Sequence, residues 1–411
     1  MLERALHLMR MSKLTRFTAT SLFLASLVLP SAHAEGTPTS FTFSGSGYGH
    51  GVGMSQIGAR AMALAGESAT SILKYYFKGV DVVPVVDTAT IRVNIGHALS
   101  TVTFAPSKGA LLAIYQDDID LRDSVTTPVF LTNKKSTFSI APDKKSILGP
   151  VTGTALTIRW RDTSNPLISV TESGVTDRFK YGQIQVKVVK GALEVTNSLA
   201  LHDEYLLGIS EISSAWPAAT LEAQTIASRS YALSKMGSIK ASCDCHLYAH
   251  IADQNFVGYS KEAEPKIGAL WRAAVMRTVF DTATGLALVS AGKPIQAYFF
   301  SSSGGATQTT ADAWGGVTTY TQSVADTASV DVKLNPRFAS WRASSSQSLV
   351  AKAFLLADVT SLEVLSRNSA GAVTWIKGTS STGKSAVLRG DTFRSRAKLP
   401  SPWFSLISVQ N

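Results

Sequence analysis

The chain has 411 residues and a formal charge of +10 at pH 7, enough for one large domain or two ordinary ones. The mild basic excess suits contact with an anionic polymer, although it also fits ordinary solubility. No block of Lys and Arg interleaves with aromatic residues, so the sequence argues against a nucleic-acid partner.

Residues 1–34 have the pattern of a secretory signal peptide. Several Lys and Arg residues precede an apolar run from Phe17 to Pro30, and Ala32-His33-Ala34 forms an A-x-A cleavage signal. The run is short for a membrane-spanning helix, which needs roughly 20 residues. We therefore expect a secreted, extracellular or cell-wall-associated protein; a membrane anchor that stays attached is the alternative.

The following residues alternate between helical and β patterns. Residues 35–46 are rich in Gly, Ser and Thr, which predicts a partly loose segment. Ile57 to Lys78 has apolar residues at helical spacing, and Gly66 is placed to divide this helix in two. Residues 88–200 alternate between apolar and polar positions, which predicts strands, and 98–180 is interpreted as a β-rich insertion.

The second half of the chain adds helices and short strands. Pro217 suits the first position of a helix that ends near Gly237. Ala297 to Phe300 has the pattern of a strand, and Ser346 to Leu356 that of a helix. The chain therefore predicts an α+β fold of mixed, largely antiparallel sheets with a few packed helices, forming one domain over residues 35–411.

Gly47 to Gln56 is the first segment that could carry chemistry. Four glycines surround His50 and Val52, which allows positive φ and a close approach of the backbone to a ligand. A histidine there can donate, accept or titrate near neutral pH. A tight loop with His50 packed for structural reasons is the competing interpretation.

Glu211 is the candidate acid. It lies between a short amphipathic turn and the helix that begins at Pro217, among the apolar residues Ile209, Ile212 and Trp216. Desolvation and helix carbonyl ends raise the pKa of a carboxyl group, and a protonated acid can donate to a glycosidic oxygen. A solvated surface glutamate is the alternative.

Cys243 and Cys245, the only cysteines, lie next to His246. Two cysteines make no disulfide framework, and a bridge across one residue would close a tight ring. Thiolates and imidazoles at short spacing suit zinc, with His250 and Asp253 close behind, yet C-x-C-H departs from the usual C-x2-C spacing. A Ser-His-Asp hydrolase is disfavoured because G-x-S-x-G is missing.

These segments together resemble the SpoIID/LytB family. The resemblance is carried by GYGHGVGMSQIGARAMA, EVTNSLALHDEYLLGISEISSAWPAATLEAQTIASRSYAL, AYFFSSSGGATQTTADAWGG and LRGDTFRSRAKLPSPWFSL. CDCHLYAHIADQNFVGY matches more loosely, and SEIS stands where members often have EMP. In typical members the GHGVGMSQ segment comes last, so its place here is a circular permutation. We expect Phe41–Phe43 to lie beside Phe404–Val409, which returns His50 to the cleft of Glu211.

The resemblance implies a peptidoglycan lytic transglycosylase. Such enzymes cleave between N-acetylmuramic acid and N-acetylglucosamine and leave 1,6-anhydro ends, with the catalytic glutamate falling on Glu211. The expected partners are glycan strands and a cell-wall amidase. The residues expected to hold the sugars are His50, Gln56, Arg229, Tyr231, Asp244, Ser302 and Ser303.

Two alternatives stay open: a non-catalytic wall-binding or amidase-activating protein, and a hydrolase that produces reducing ends. Some family members carry a metal near the Cys/His segment, but the spacing here departs from theirs. No cofactor is expected, and Cys243, Cys245 and His246 stay as zinc candidates.

Overall fold

The structure, a computed structural model, describes residues 37–107, 109–124, 127–132, 136–161 and 166–410. The expected signal peptide at 1–34 lies outside these residues, which begin a compact unit at Thr37. Within this part of the chain, no helix is long and apolar enough to cross a membrane.

The secondary structure is numbered in chain order. The strands are β1 Ser40–Gly45, β2 Met54–Ser55, β3 Asp81–Val86, β4 Thr90–Leu99, β5 Val102–Ser107, β6 Leu111–Gln116, β7 Phe130–Leu131, β8 Phe138–Asp143, β9 Ser146–Leu148, β10 Ala155–Arg161, β11 Leu167–Glu172, β12 Val175–Phe179, β13 Gln183–Val189, β14 Ala192–Ala200, β15 Leu247–Tyr248, β16 Thr284–Ser290, β17 Lys293–Pro294, β18 Phe299–Phe300, β19 Trp341–Ser346, β20 Ser361–Arg367, β21 Val373–Thr379, β22 Ser385–Arg389 and β23 Phe404–Gln410. The helices are α1 Gln56–Leu64, α2 Ala69–Tyr76, α3 Ala218–Lys235, α4 Tyr259–Glu262, α5 Gly268–Arg277, α6 Thr310–Trp314, α7 Gln347–Phe354 and α8 Gly390–Arg396, with a π-helical turn at Leu201–Tyr205 and a 3-10 turn at Thr327–Val330.

The largest core is built from strands. A seven-stranded sheet has the order β15-β4-β14-β13-β10-β6-β7, and a five-stranded sheet has the order β12-β11-β5-β8-β9. Apolar side chains of both sheets form one buried cluster. Successive side chains of a strand point to opposite faces, so alternate residues of each strand reach this cluster. The described residues between 98 and 180 contain β5 to β12, and β6 and β10 share the sheet of β13 and β14. The α+β fold with mostly antiparallel sheets is confirmed.

A second core forms around α3, a long helix in the middle of the sequence. It spans Ala218–Lys235, so Pro217 is the N-cap, one residue before the first helical position predicted for it. Its buried Ala223 and Ala227 allow close packing with α1, α2 and β16. The predicted helix over 57–78 is two helices, because the chain turns at Gly66 and Ser68 caps α2 by accepting from the backbone N–H of Ser71 at 3.1 Å.

The third core joins the two ends of the described chain. Strand β1 is the middle strand of a three-stranded sheet, with β19 on one side and β23 on the other. Phe41 and Phe43 have no exposed surface, and Phe43 packs edge-on against Phe404 with ring centroids 5.6 Å apart. Burial of each phenylalanine stabilises the fold by roughly 1.5–3 kcal/mol.

This arrangement tests two predictions. The pairing of Phe41–Phe43 with the 404–409 strand is confirmed, since Phe41 lies opposite Val409. The prediction of a partly loose segment at 35–46 is wrong for residues 40–45. Its small polar residues alternate with buried phenylalanines, so hydrophobic alternation outweighs the loop-forming composition.

Candidate active site

Glu211 is fixed by a short backbone ladder. The N–H of Ser210 donates to the carbonyl of Asn255 at 2.8 Å, and the N–H of Val257 donates to the carbonyl of Gly208 at 2.9 Å. Between these bonds, the N–H of Asn255 donates to Oε1 of Glu211 at 2.6 Å. The carboxyl group is therefore held against the loop that contains Asn255.

Burial sets the protonation of this carboxyl group. Glu211 is half-buried, and its neighbours Ile209 and Ile212 are buried. This burial raises the pKa of Glu211, while the hydrogen bond from Asn255 opposes the shift. The direction agrees with the prediction from the apolar sequence around Glu211.

A cavity of about 170 Å³ lies beside the same loop. Asp253 lines the cavity, two residues before the Asn255 N–H that holds Glu211. The residues that line it are His50, Tyr231, Ile251, Ala252, Asp253, Tyr298, Phe299 and Trp314. The cavity thus combines aromatic walls with few polar groups, as ligand-binding sites do, in a volume smaller than the roughly 300–1,000 Å³ of sites for drug-sized ligands.

Aromatic rings in edge-to-face and tilted contacts form the walls. The ring centroid of Trp314 lies 5.1 Å from that of His50 and 4.9 Å from that of Tyr298. The Tyr231 and Tyr298 centroids are 6.4 Å apart. Trp314 keeps 38% of its surface exposed, so one wall is open to solvent.

Asp253 places a carboxyl group in the cavity lining, two residues before the Asn255 N–H that binds Glu211. Its Oδ1 accepts from the Tyr231 hydroxyl at 2.9 Å, and its Oδ2 accepts from the backbone N–H of Tyr248 at 2.9 Å. Lys240 Nζ lies 3.6 Å from Oδ2. Both oxygens therefore have protein partners, which suits a positioning role better than proton transfer.

The glycine-rich segment brings His50 into the cavity. Gly47, Gly49, Gly51 and Gly53 all have positive φ. A Cβ atom at Gly51 would lie 2.2 Å from the ring of Trp403, so glycine is required there. Nδ1 of His50 accepts from the N–H of Val52 at 3.0 Å, and burial lowers the pKa of His50 to about 4. His50 is therefore neutral at pH 7.

Tyr231 is the other predicted sugar-binding residue that lines the cavity, whereas Gln56 and Arg229 do not. Gln56 is buried and donates to Gln224 at 3.2 Å between α1 and α3. Arg229 has no exposed surface, and its Nε lies 2.8 Å from Oδ2 of Asp87. The prediction that these two side chains contact a sugar is corrected to roles in packing and ion pairing.

Asp244, Ser302 and Ser303 also lie outside the cavity lining. Asp244 is buried and pairs with Arg92 at 2.9 Å. Ser302 is buried, and its backbone pairs with that of Tyr48. The Ser303 hydroxyl donates to buried Asp326 at 2.6 Å. All three residues are buried: Asp244 pairs with a strand residue, and the Ser302 backbone pairs with the glycine-rich segment.

The cysteine segment is structural. Cys243 and Cys245 form a disulfide, contrary to the expectation from their one-residue spacing. His246 Nδ1 accepts from the backbone N–H of Arg92 at 2.9 Å. The two sulfurs are therefore not free thiolates, and no metal-ligating group of three side chains occurs among the residues described.

Sequence reasoning missed Tyr298 and Trp314 in the cavity and assigned Asp253 to the cysteine segment. Tyr298 was placed in the predicted strand, and Trp314 lies in the block ADAWGG, so both were in recognised segments. Nothing in their local sequence shows that they meet His50, which precedes them by more than 240 positions.

The fold and site define an α+β protein with an aromatic cavity and a half-buried glutamate, Glu211, which does not itself line the cavity but is held by the loop that does. Residues 189–284 match the family model SpoIID, described as stage II sporulation protein, so the chain carries a SpoIID domain. That match contains Glu211, Tyr231 and Asp253, while His50 and Trp314 lie outside it. Searches of curated proteins and of solved structures found no match to the chain.

Proposed function

We propose that this protein is a peptidoglycan lytic transglycosylase in which Glu211 is the general acid and base. The observation that carries the proposal is the half-buried carboxyl group of Glu211 in the SpoIID-matching region, whose pKa burial raises and which is bonded to the loop that lines an aromatic cavity. A carboxyl group that keeps its proton can donate it to a leaving oxygen.

The reaction needs two proton transfers. The Glu211 carboxyl group first protonates the glycosidic oxygen, and the bond between that oxygen and C1 of the muramic acid breaks. The resulting carboxylate then takes the proton of the C6 hydroxyl as O6 bonds to C1. This closes the 1,6-anhydro ring, and Glu211 ends protonated again without consuming water.

One carboxyl group is sufficient for these two proton transfers, whereas ordinary glycosidases use a pair of carboxyl groups. The Asn255 N–H supports the carboxylate form of Glu211 after the first transfer. Asp253 keeps both oxygens bonded to Tyr231 and the Tyr248 backbone, which supports its role in positioning the aromatic wall.

The aromatic residues are proposed to hold the sugar. His50 is uncharged at pH 7 because burial lowers its pKa to about 4, so it can accept or donate a neutral hydrogen bond. The exposed ring of Trp314 offers a flat apolar surface for a sugar ring, and the rings of Trp314 and Tyr231 both contact Tyr298.

The setting is proposed to be the cell wall. The sequence pattern at 1–34 supports export, and glycan strands are the proposed partner. No cofactor is included in the reaction because the two proton transfers require only Glu211.

Digestion of peptide-free glycan strands, followed by mass analysis of the products, tests the proposal. The protein should release anhydro-ended fragments, and Glu211→Gln should lower the rate by at least about 100-fold, the contribution typical of a general acid. Glu222→Gln is the matched control, because Glu222 instead pairs with Arg277.

The products separate the proposal from its alternatives. Reducing ends labelled from ¹⁸O-water would indicate a hydrolase. Co-sedimentation with glycan and no cleavage would indicate a binding or amidase-activating protein. Full activity of Glu211→Gln would show that another residue supplies the proton.

A further inference from the structure

The net charge of the chain is concentrated near its C-terminus. Residues 341–410 contain nine Lys or Arg and three Asp or Glu, a net of +6 within a chain of +10. Arg342, Lys352, Lys384 and Arg396 are exposed. This part of the surface therefore attracts anions more strongly than the rest of the described chain.

One face of the sheet β20-β21-β22 carries exposed apolar side chains beside cations. Leu365, Trp375 and Val387 are 45%, 39% and 48% exposed. On the neighbouring strand, Arg389 lies opposite Trp375, and Lys377 lies opposite Val387. We name these five residues the outer sheet face. The other face packs Val364, Ile376 and Leu388 into the third core.

Arg389 connects the outer sheet face to the cavity. Its Cζ lies 4.6 Å from the centre of the Trp375 ring, and its Nη1 donates to the carbonyl of Ala311 at 3.3 Å. Ala311 belongs to α6, the helix that carries Trp314. A Cβ atom at Gly315 would lie 2.5 Å from Nη2 of Arg389, so the guanidinium group packs directly against the residue that follows Trp314.

A second contact joins the same two parts. Nε1 of Trp314 donates to Oδ2 of Asp391 at 3.0 Å, and Asp391 is two residues after Arg389. Trp314 lines the cavity and is 38% exposed. The surface is therefore continuous from the cavity through Trp314 and Arg389 to Trp375.

We infer that the outer sheet face binds the part of an anionic polysaccharide that extends beyond the cavity. This inference rests on the proposed function, because the same strand occupies both places. The ring of Trp375 can stack on the C–H face of a sugar, and Arg389 can pair with carboxylates on the strand. Lys377 can do so by exchanging its exposed partner Glu363, whose Oε2 lies 4.0 Å from Lys377 Nζ. Protein interfaces favour Trp and Arg but are depleted in lysine at their centres, so Lys377 in the middle of the face favours the polysaccharide over a protein partner.

Binding measurements on the full protein with Glu211→Gln test the inference without cleavage. The probes are peptide-free glycan strands, which carry lactyl carboxylates, and a tetrasaccharide of the same repeat. Trp375→Ala should weaken binding of the long strands by roughly fivefold to tenfold, the loss expected for one aromatic contact, and leave tetrasaccharide binding unchanged. Phe280→Ala is the aromatic control, because Phe280 is 66% exposed outside the outer sheet face.

Charge is tested by a second variant that does not depend on Trp375. Lys377→Glu should weaken binding of the long strands and reduce the dependence of their affinity on salt. It should not affect uncharged chitin oligosaccharides. Lys293→Glu is the control, because Lys293 is exposed on β17.

The outcomes separate this inference from the proposed function. Unchanged binding of long strands in both Trp375→Ala and Lys377→Glu overturns the inference, even if the parent protein cleaves glycan. Weakened binding in both variants supports it, even if the parent protein proves to have no catalytic activity.

Discussion

The backbone N–H of Asn255 and Oε1 of Glu211 are 2.6 Å apart, so a half-buried acid is anchored by a single backbone donor. The donor favours the charged carboxylate, whereas burial favours the protonated acid, and burial is the larger effect. Because this bond comes from the main chain, only Asn255→Pro, which removes the N–H, abolishes the donor directly.

The raised pKa of Glu211 predicts a pH-dependent stability. Between its ordinary value of 4.5 and the raised value, the native protein binds more protons at this site than the unfolded chain does. The free energy of unfolding therefore falls as the pH rises through this window. Urea unfolding of the parent and Glu211→Gln across this range should show the extra fall in the parent alone; parallel curves would contradict the shift.

The lowered pKa of His50 predicts the opposite dependence of the free energy of unfolding on pH. Its pKa is lowered from 6.5 to about 4, so below pH 6.5 the unfolded chain binds a proton that native His50 does not bind. The free energy of unfolding should therefore fall as the pH drops from 6.5 towards 4. His50→Gln should lose less stability over this range in urea titrations. His250→Gln, at an exposed histidine, is the control and should behave as the parent does.

Arg229 should prove to be a structural residue. Its partner Asp87 is also fully buried, and Asp87 contacts Nδ1 of His202 at 2.5 Å. Arg229→Gln leaves Asp87 without its cation and should lower the free energy of unfolding by about 3–5 kcal/mol. Arg277→Gln, which removes a half-exposed pair with Glu222, should cost less than about 1 kcal/mol. Equal losses in the two variants would be inconsistent with the burial of Arg229.

The disulfide predicts how the protein responds to reduction. Cys243 and Cys245 enclose one residue, so the bridge restricts the unfolded chain little and should stabilise the fold by about 1–2 kcal/mol. A thiol titration of the unreduced, unfolded protein should find no free thiol, and Cys243→Ser with Cys245→Ser should fold with a slightly lower midpoint in urea. Two free thiols in the unreduced protein would contradict the bridge.

The elements that depend on local chemistry could be predicted from the sequence. Pro217 marks the start of α3, Gly66 marks the break between α1 and α2, and the alternation near residue 184 marks β13. The pairing of Phe41 with the last strand could be predicted only from the order of the motifs. Its burial at the centre of a sheet could not, because its partners lie hundreds of residues away.

The candidate site could be predicted only where its features depend on local sequence. The apolar neighbours of Glu211 indicate burial, and the glycines around His50 indicate a close loop. Whether Arg229 points into a cleft or into an ion pair depends on Asp87, which is 142 positions earlier in the sequence. The cavity likewise depends on Trp314 meeting His50, a contact that no local pattern shows.

The placement of β1 has a consequence for the order of events during synthesis. Both hydrogen-bonding edges of this strand are covered by β19 and β23, and Thr42 reaches Ser344 across 302 positions. A growing chain therefore carries Phe41 and Phe43 without these neighbours until residues 341–410 have been made. The segment that holds His50 follows directly after β1, and Trp341 Nε1 donates to the carbonyl of Gly47 across 294 positions, so this segment also waits for the later strands.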